Sequence, residues 1–326
     1  MINKRSRLVF AGLLAASLLG PVKASAGDAV TCAYDSNTRI AEVTINDNVV
    51  SFGLYVLNGT IRVGGAQCDP VADVSEVDLV TLTDTINNNV GVTIDVEEPF
   101  APGNEAEDGG SDEIEFDIDL GSDPGDSLTI KSEFNNPLFA RAGLFTLFNT
   151  TRTVVNANAN EIDGVDFDVV MTGVDSLRFT GSDLADEIGA QGGKGTGEPL
   201  KKGVFIRGMN EADQIIGGKG PDDLAGGYPQ FCFDCVGSDE IKGMGGNDVL
   251  TGALGNDHLR GGNGKDTILG LGGHDNLYGQ NGNDTVRGHN GQDFITGGWG
   301  DDKLNGGPNP DSCNGGPGKD TLKNCE

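Results

Sequence analysis

In the last third of the chain one apolar position recurs every nine residues. It is held by Ile215, Leu224, Ile241, Leu250, Leu259, Ile268, Leu277, Val286, Ile295, Leu304, Cys313 and Leu322, with one longer step between Leu224 and Ile241. A helix repeats its apolar face every three to four residues and a half-buried strand every two. A nine-residue step instead marks a short unit copied many times, each copy burying one side chain. Gly261-Gly262-Asn263-Gly264-Lys265-Asp266-Thr267-Ile268-Leu269 is representative. Its glycines admit the positive φ of a tight turn, and its last three residues predict a very short strand whose middle side chain points inward. Two units then predict one coil, with a strand on each side and a turn at each end. Units eighteen residues apart lie one above the other, at the strand spacing of roughly 4.8 Å.

The sixth position carries the chemistry, because it is always aspartate. The series is Asp213, Asp222, Asp239, Asp248, Asp257, Asp266, Asp275, Asp284, Asp293, Asp302, Asp311 and Asp320, with an eight-residue insertion between Asp222 and Asp239. Stacking puts Asp248 over Asp266 and Asp257 over Asp275, and so on down both edges. Carboxylates that close repel one another, and a hard divalent cation between them removes the conflict. Ca²⁺ accepts about six to eight oxygens, including carbonyls freed by glycine turns, whereas Mg²⁺ demands a smaller octahedral cage and gives up water reluctantly. The aspartate pairs predict about eight to ten such sites.

With twelve in-phase copies on the page, segment 208–323 resembles the RTX (repeats-in-toxin, hemolysin-type) calcium-binding repeats, whose nonapeptide is GGxGxDxUx. The resemblance implies an all-β fold, a parallel β-roll or β-solenoid with calcium inside the turns. It implies that the twelve aspartates are the side-chain ligands. Turn carbonyls would complete the sites, namely those of Gly243, Gly252, Gly261, Gly270, Gly279, Gly288 and Gly297 at the first position and Gly264, Gly273, Gly282, Gly291 and Gly300 at the fourth. Two units depart from the pattern. Asp234-Cys235-Val236-Gly237 lacks the opening glycines, and Pro308-Asn309-Pro310 replaces the fourth-position glycine.

The amino-terminal half alternates as short strands, for example over Ile40–Ile45, Thr60–Val63, 77–82, 92–96, 113–120, Ser127–Lys131 and 165–171. The apolar spacing of 137–148 predicts a short helix or a covering loop, and 99–110 an acidic, solvated loop. Two runs look like worn copies of the repeat. Gly121 to Leu128 keeps the opening glycine, Asp126 and the apolar residue; Gly181 to Ile188 does the same, with Asp186 three periods before Asp213. The organisation predicted is a small β-rich segment at 27–69, an irregular β-solenoid at 70–200 and the roll at 201–326, with its insertion at about 226–236 and a C-terminal cap. The irregular part also resembles the amino-terminal region of exported bacterial RTX-repeat proteins of unassigned function.

Residues 1–26 read as a cleavable export signal, with Lys4, Arg5 and Arg7 before the apolar run 8–19 and a small-residue cleavage site ending at Ala26. Cleavage after Ala26 leaves a secreted, extracellular chain with no membrane span in its mature form. The formal charge of −28 becomes −32 when the four bases of that signal are lost. Residues 27–180 hold 28 acids against 6 bases and residues 181–326 hold 22 against 12, a surface that repels nucleic acid and anionic lipid. All six cysteines lie beyond the signal, which suits disulfides in an oxidising compartment. Of fifteen pairings, proximity favours Cys32–Cys68, Cys232–Cys235 and Cys313–Cys325, the last fastening the C-terminal tail across the end of the roll.

The catalytic motifs are missing: there is no His-Glu-x-x-His and no Gly-x-Ser-x-Gly. The three histidines, His258, His274 and His289, occupy three different repeat positions and form no column. The expectation is therefore an exported calcium-binding protein that is not an enzyme, with multiple calcium ions as its partners. A calcium-dependent cell-surface or adhesion component, bound to cell-wall or surface polysaccharide, is the first alternative. A polysaccharide lyase or epimerase with a repeat tail is the second.

Overall fold

The computed structural model describes residues 30–45, 51–57, 60–63, 66–70, 79–84, 90–95, 115–121, 125–131, 139–147, 150–156, 169–172, 174–181, 185–192, 198–227 and 237–326. The expected signal, the 99–110 loop and the Cys232–Cys235 pair lie outside them. Every regular element described is a strand. The strands form two facing sheets, one of 14 strands running from Val30–Asp35 to Ser312–Asn314, the other of 13 running from Ala66–Gln67 to Thr321–Lys323. Apart from antiparallel additions near the amino terminus and at 139–172, successive strands alternate between the sheets and pair in parallel within each, so the backbone winds as a solenoid.

In the regular part the register is the eighteen-residue one. Leu250 pairs with Ile268 and Ile268 with Val286 in one sheet, and Leu259 with Leu277 and Leu277 with Ile295 in the other. The eighth-position side chains from Ile215 to Ile295 are completely buried between the sheets. A core one residue wide per strand leaves no slack, which is why only aliphatic side chains of similar size fill it. The backbone bonds run between coils as well: the Thr267 N–H donates to the Asp248 carbonyl at 2.8 Å and the Thr285 N–H to the Asp266 carbonyl at 2.9 Å. Each coil thus satisfies its polar backbone only through its neighbours.

Two turn positions explain the glycines. At the fourth position Gly264 holds a φ of +133°, and a Cβ there would overlap the Gly246 carbonyl of the preceding coil, so only glycine fits. The second position is also left-handed, yet in other copies it holds Met244, Ala253, Leu271, Gln280 and His289 at φ of 72–95°.

Insertions leave the stack intact. Ile215 pairs with Ile241 and Leu224 with Leu250, steps of 26 residues on both sheets, eight more than a regular coil, and the stacking continues across them. Ile188 pairs directly with Ile215. The three periods between Asp186 and Asp213 are therefore one coil plus nine extra residues, not intervening repeats.

Solenoid pairing reaches further toward the amino terminus than residue 70. Ile40–Ile45 pairs in parallel with Leu79–Asp84, and Ser51–Leu57 with Gly91–Asp95, so both sheets cross 69–70 without a break. Two antiparallel additions cover the first coil: Val30–Asp35 on one sheet edge, and Thr60–Val63 with Ala66–Gln67 on the other. Covering an edge removes a template for pairing with other chains. The Cys32–Cys68 disulfide, with Cα atoms 4.6 Å apart, ties the two covers together.

One expectation is corrected. Within 137–148 the described residues form no helix or covering loop; Phe139–Leu147 is a strand, hairpinned onto Thr150–Asn156 and inserted in the sheet beside Glu187–Gly189. The partner Thr150-Thr151-Arg152-Thr153-Val154-Val155 is almost wholly β-branched, and cross-strand pairing with it outweighs a weak helical period.

Truncating one rung should be felt along the roll. Ile268→Ala removes a fully buried side chain, at a cost of about 2–5 kcal/mol. The expected readout is a higher calcium concentration at the midpoint of β-sheet formation, followed by circular dichroism, with the whole roll shifting as one transition.

Candidate metal centre

Each turn between the sheets is built from a glycine run followed by aspartate, and the geometry repeats from coil to coil. Asp266 is completely buried. Its Oδ1 accepts the backbone N–H of Asp248, one coil back, at 2.9 Å. Asp248 Oδ1 likewise accepts the Asp222 N–H and Asp284 Oδ1 the Asp266 N–H, each at 2.9 Å. The bonds define two ladders, Asp213–Asp239–Asp257–Asp275–Asp293–Asp311 on one edge and Asp222–Asp248–Asp266–Asp284–Asp302–Asp320 on the other.

The second carboxylate oxygen is the informative one. In Asp213, Asp248, Asp257, Asp266, Asp275, Asp284, Asp293, Asp302 and Asp311, Oδ2 is buried and meets no hydrogen-bond donor. It turns toward the first glycine of its own unit, where a Cβ would collide with it: Asp248 against Gly243, Asp257 against Gly252, Asp266 against Gly261, Asp275 against Gly270, Asp284 against Gly279, Asp293 against Gly288 and Asp302 against Gly297. The first-position carbonyl of the next coil faces the same spot. Beside Gly243 that carbonyl is Gly261's, beside Gly252 it is Gly270's, and beside Gly270 it is Gly288's. The fourth-position carbonyls are placed differently. Those of Gly246, Gly255, Gly264, Gly273 and Gly282 point along the stack at the fourth-position glycine of the following coil.

A buried carboxylate oxygen with no donor is costly in a folded chain, and nine of them in register imply a partner of another kind. The set seen at each spot is oxygen only, one carboxylate with the first-position carbonyl of the next coil. Among the described residues no three His, Cys, Asp or Glu side chains converge on one point, so a centre here draws on the backbone. That donor set suits Ca²⁺ better than Mg²⁺ or a transition metal. Asp222 departs from the others, its Oδ2 accepting the Gly218 N–H at 2.7 Å, and Asp320 in the last turn is only half-buried. The irregular units stay in the ladder. Asp239, preceded by the insertion, accepts the Asp213 N–H at 2.9 Å, and the Asn309 side chain, where glycine is usual, accepts the Gly291 N–H at 3.0 Å.

Burial sets the charge balance. Loss of water pushes the Asp213 carboxyl up to about 9, Asp257 to about 8, Asp248 and Asp284 to about 7, and Asp222, Asp239, Asp266 and Asp275 to about 6. Asp293 and Asp302 rise for the same reason. The charge of a stacked neighbour adds to most of these shifts but comes after burial. Repulsion between stacked carboxylates, the sequence argument for a cation, is therefore the smaller half of the reason; desolvation is the larger.

One set of turn residues escaped the sequence reading. The fifth-position side chains of Asn247, Asn256, Asn283 and Asp301 accept the N–H of Lys265, His274, Asp301 and Lys319, each one coil on, at 2.7–2.9 Å. The recurring asparagine was a visible signal, passed over because the position also holds lysine, histidine and glutamine. The histidines do separate jobs. His274 Nδ1 accepts the Gln292 N–H at 2.9 Å, His258 stacks on Tyr278, and His289 sits at a left-handed second position.

Residues 205–227, 236–268, 269–304, 278–313 and 300–322 match the family model of the RTX calcium-binding nonapeptide repeat. This part of the chain belongs to that repeat family, a β-roll whose units bind calcium ions. No relative among curated proteins matches the chain.

The shifted carboxyls fix a pH dependence. An unfolded aspartate titrates near 3.8, while the metal-free folded turns hold their protons to about 6–9. A raised acid favours the folded form while it stays protonated, so the metal-free roll is most stable below about pH 4 and loses stability as pH climbs through 6–9. In chelator, more β-structure is expected at pH 5 than at pH 8. Calcium must displace those protons, so its folding midpoint should instead fall as pH rises; circular dichroism across both titrations reads the two opposite slopes.

Proposed function

We propose that the chain is an exported, non-catalytic calcium-binding protein whose roll folds when it meets calcium outside the cell. The observation that carries this reading is the ladder of buried carboxylate oxygens that meet no donor. Without a cation each rung loses hydration and gains nothing in return, which opposes folding where calcium is scarce. With calcium, ligand binding and coil formation become one event, since the ion binds only the assembled turn.

Further support comes from the ends. Disulfides join Cys32 to Cys68 and Cys313 to Cys325, and such bonds persist in oxidising compartments. Among the described residues no helix is long and apolar enough to cross a membrane. Among the described residues the polar groups withdrawn from water are dominated by ladder aspartates, and the three histidines lie in different turns with no converging group of His, Cys, Asp or Glu, which favours binding over catalysis.

The mature chain, residues 27–326, tests this by calcium titration. A cooperative gain of β-signal over the roll is expected, with several ions retained per chain, and chelator should reverse it. Equal compactness in chelator and in calcium, with no retained ion, would refute it. Replacing Asp266 and Asp284 together by Asn keeps an acceptor for each ladder bond but removes two charges, and should raise the calcium midpoint roughly tenfold or more, about 1.4 kcal/mol per decade.

A further inference from the structure

The family match begins at residue 205, yet the turn geometry does not stop there on both edges. On the edge that carries Asp213, the next coil toward the amino terminus holds Asp186, 3% exposed. The Asp186 N–H donates to Asp213 Oδ1 at 2.8 Å, the same ladder bond that joins Asp248 to Asp266, although 27 residues separate the two here instead of 18. A Cβ placed on Gly181, five residues before Asp186, would strike both Asp186 Oδ2 and the Gly208 carbonyl of the next coil. That is the pairing found beside Gly243, where Asp248 Oδ2 and the Gly261 carbonyl face one spot. One coil on, the buried Asp213 Oδ2 meets no donor and turns to Gly208, so the column of oxygens is continuous through the junction.

The opposite edge ends differently. There the aspartate position is taken by Val204, 1% exposed, whose N–H still donates to Asp222 Oδ1 at 3.0 Å. Beside it, at the surface, the exposed Lys202 Nζ donates to Asp175 Oδ1 and to the Val174 carbonyl, both at 3.3 Å. There the exposed carboxylate and carbonyl already face a cation of the chain itself.

We propose that Gly181, Asp186 and Gly208 form a further calcium site outside the recognised repeats, on one edge only, joining the irregular solenoid to the roll. The inference rests on the reading that the roll takes up calcium. It extends that reading by making the irregular solenoid contribute an ion ligand to the first coil of the roll. The Lys202 turn opposite needs no metal, so the last irregular coil can present Asp186 before any ion binds.

Native mass spectrometry of the mature chain at saturating calcium counts the ions. Asp186→Asn keeps a carbonyl oxygen as acceptor while losing the charge, and one ion fewer than wild type is expected, with the far-ultraviolet spectrum unchanged. Gly181→Ala fills the cradle without touching the carboxylate and should lose the same ion, so it decides the matter if Asp186→Asn folds poorly. Asp175→Asn, at the Lys202 contact, should leave the count at the wild-type value. An unchanged count in folded Asp186→Asn or Gly181→Ala overturns the site while leaving the roll reading intact. Absence of bound calcium in wild type would instead sink the roll reading itself.

Discussion

The structure depends on one awkward group, the carboxylate that each coil places out of water beside a glycine. One of its oxygens is used well, accepting a backbone N–H from the preceding coil; in nine of the turns the other meets no donor in the protein. A folded domain ordinarily tolerates few such orphans. Here they recur at the same point of nine turns, so they are a property of the unit. Glycine follows from the same constraint. The first-position glycine leaves room for the carboxylate oxygen and the carbonyl of the next coil, and the fourth-position glycine lets successive backbones approach closely along the stack.

Because each coil meets only its neighbours, stability in the roll is close to a sum of coil terms and interface terms. The aliphatic rung contributes burial, the parallel ladders contribute backbone bonds, and the carboxylates subtract. A short, narrow coil buries one large side chain per strand, too little to offset a desolvated charge with ease. A metal changes the sign of the polar contribution without altering the apolar one, which is how ion concentration can govern folding.

Much of this was legible in the sequence because the period is strict. The eighteen-residue register, the inward residues from Ile215 to Leu304 and the two ladders follow from spacing alone. The upstream half was harder to read for a physical reason. Its coils vary in length, through the nine extra residues between Asp186 and Asp213 and the hairpin Phe139–Leu147 with Thr150–Asn156, and a solenoid fixes which strands stack, not how much chain loops out between them. Asp186 shows the effect: its distance from Asp213 was in phase by count, but only the pairing of Ile188 with Ile215 puts the two in adjacent coils. The balance of burial and repulsion was also beyond a one-dimensional pattern, since spacing reports which charges are neighbours and not how much water they keep.

The two disulfides sit where metal cannot help. Cys32–Cys68 closes a 36-residue separation at the covered first coil, and Cys313–Cys325 closes 12 residues at the last. A crosslink acts mainly by restricting the unfolded chain, on the order of 3 kcal/mol for a loop of about 15 residues and more for a longer one. That contribution is present with or without calcium. At the far end, the Asn324 carbonyl stands beside Gly306 and Asp311, where the first-position carbonyl of a following coil would stand, and the Glu326 N–H donates to the Asp311 carbonyl at 2.8 Å. The disulfide holds Asn324 in place, so the Asp311 turn has the carbonyl that a first-position glycine of the next coil supplies elsewhere. Covalent bonds thus fix the first and last described coils whatever the ion does, while the carboxylates between them are the groups that an ion would satisfy.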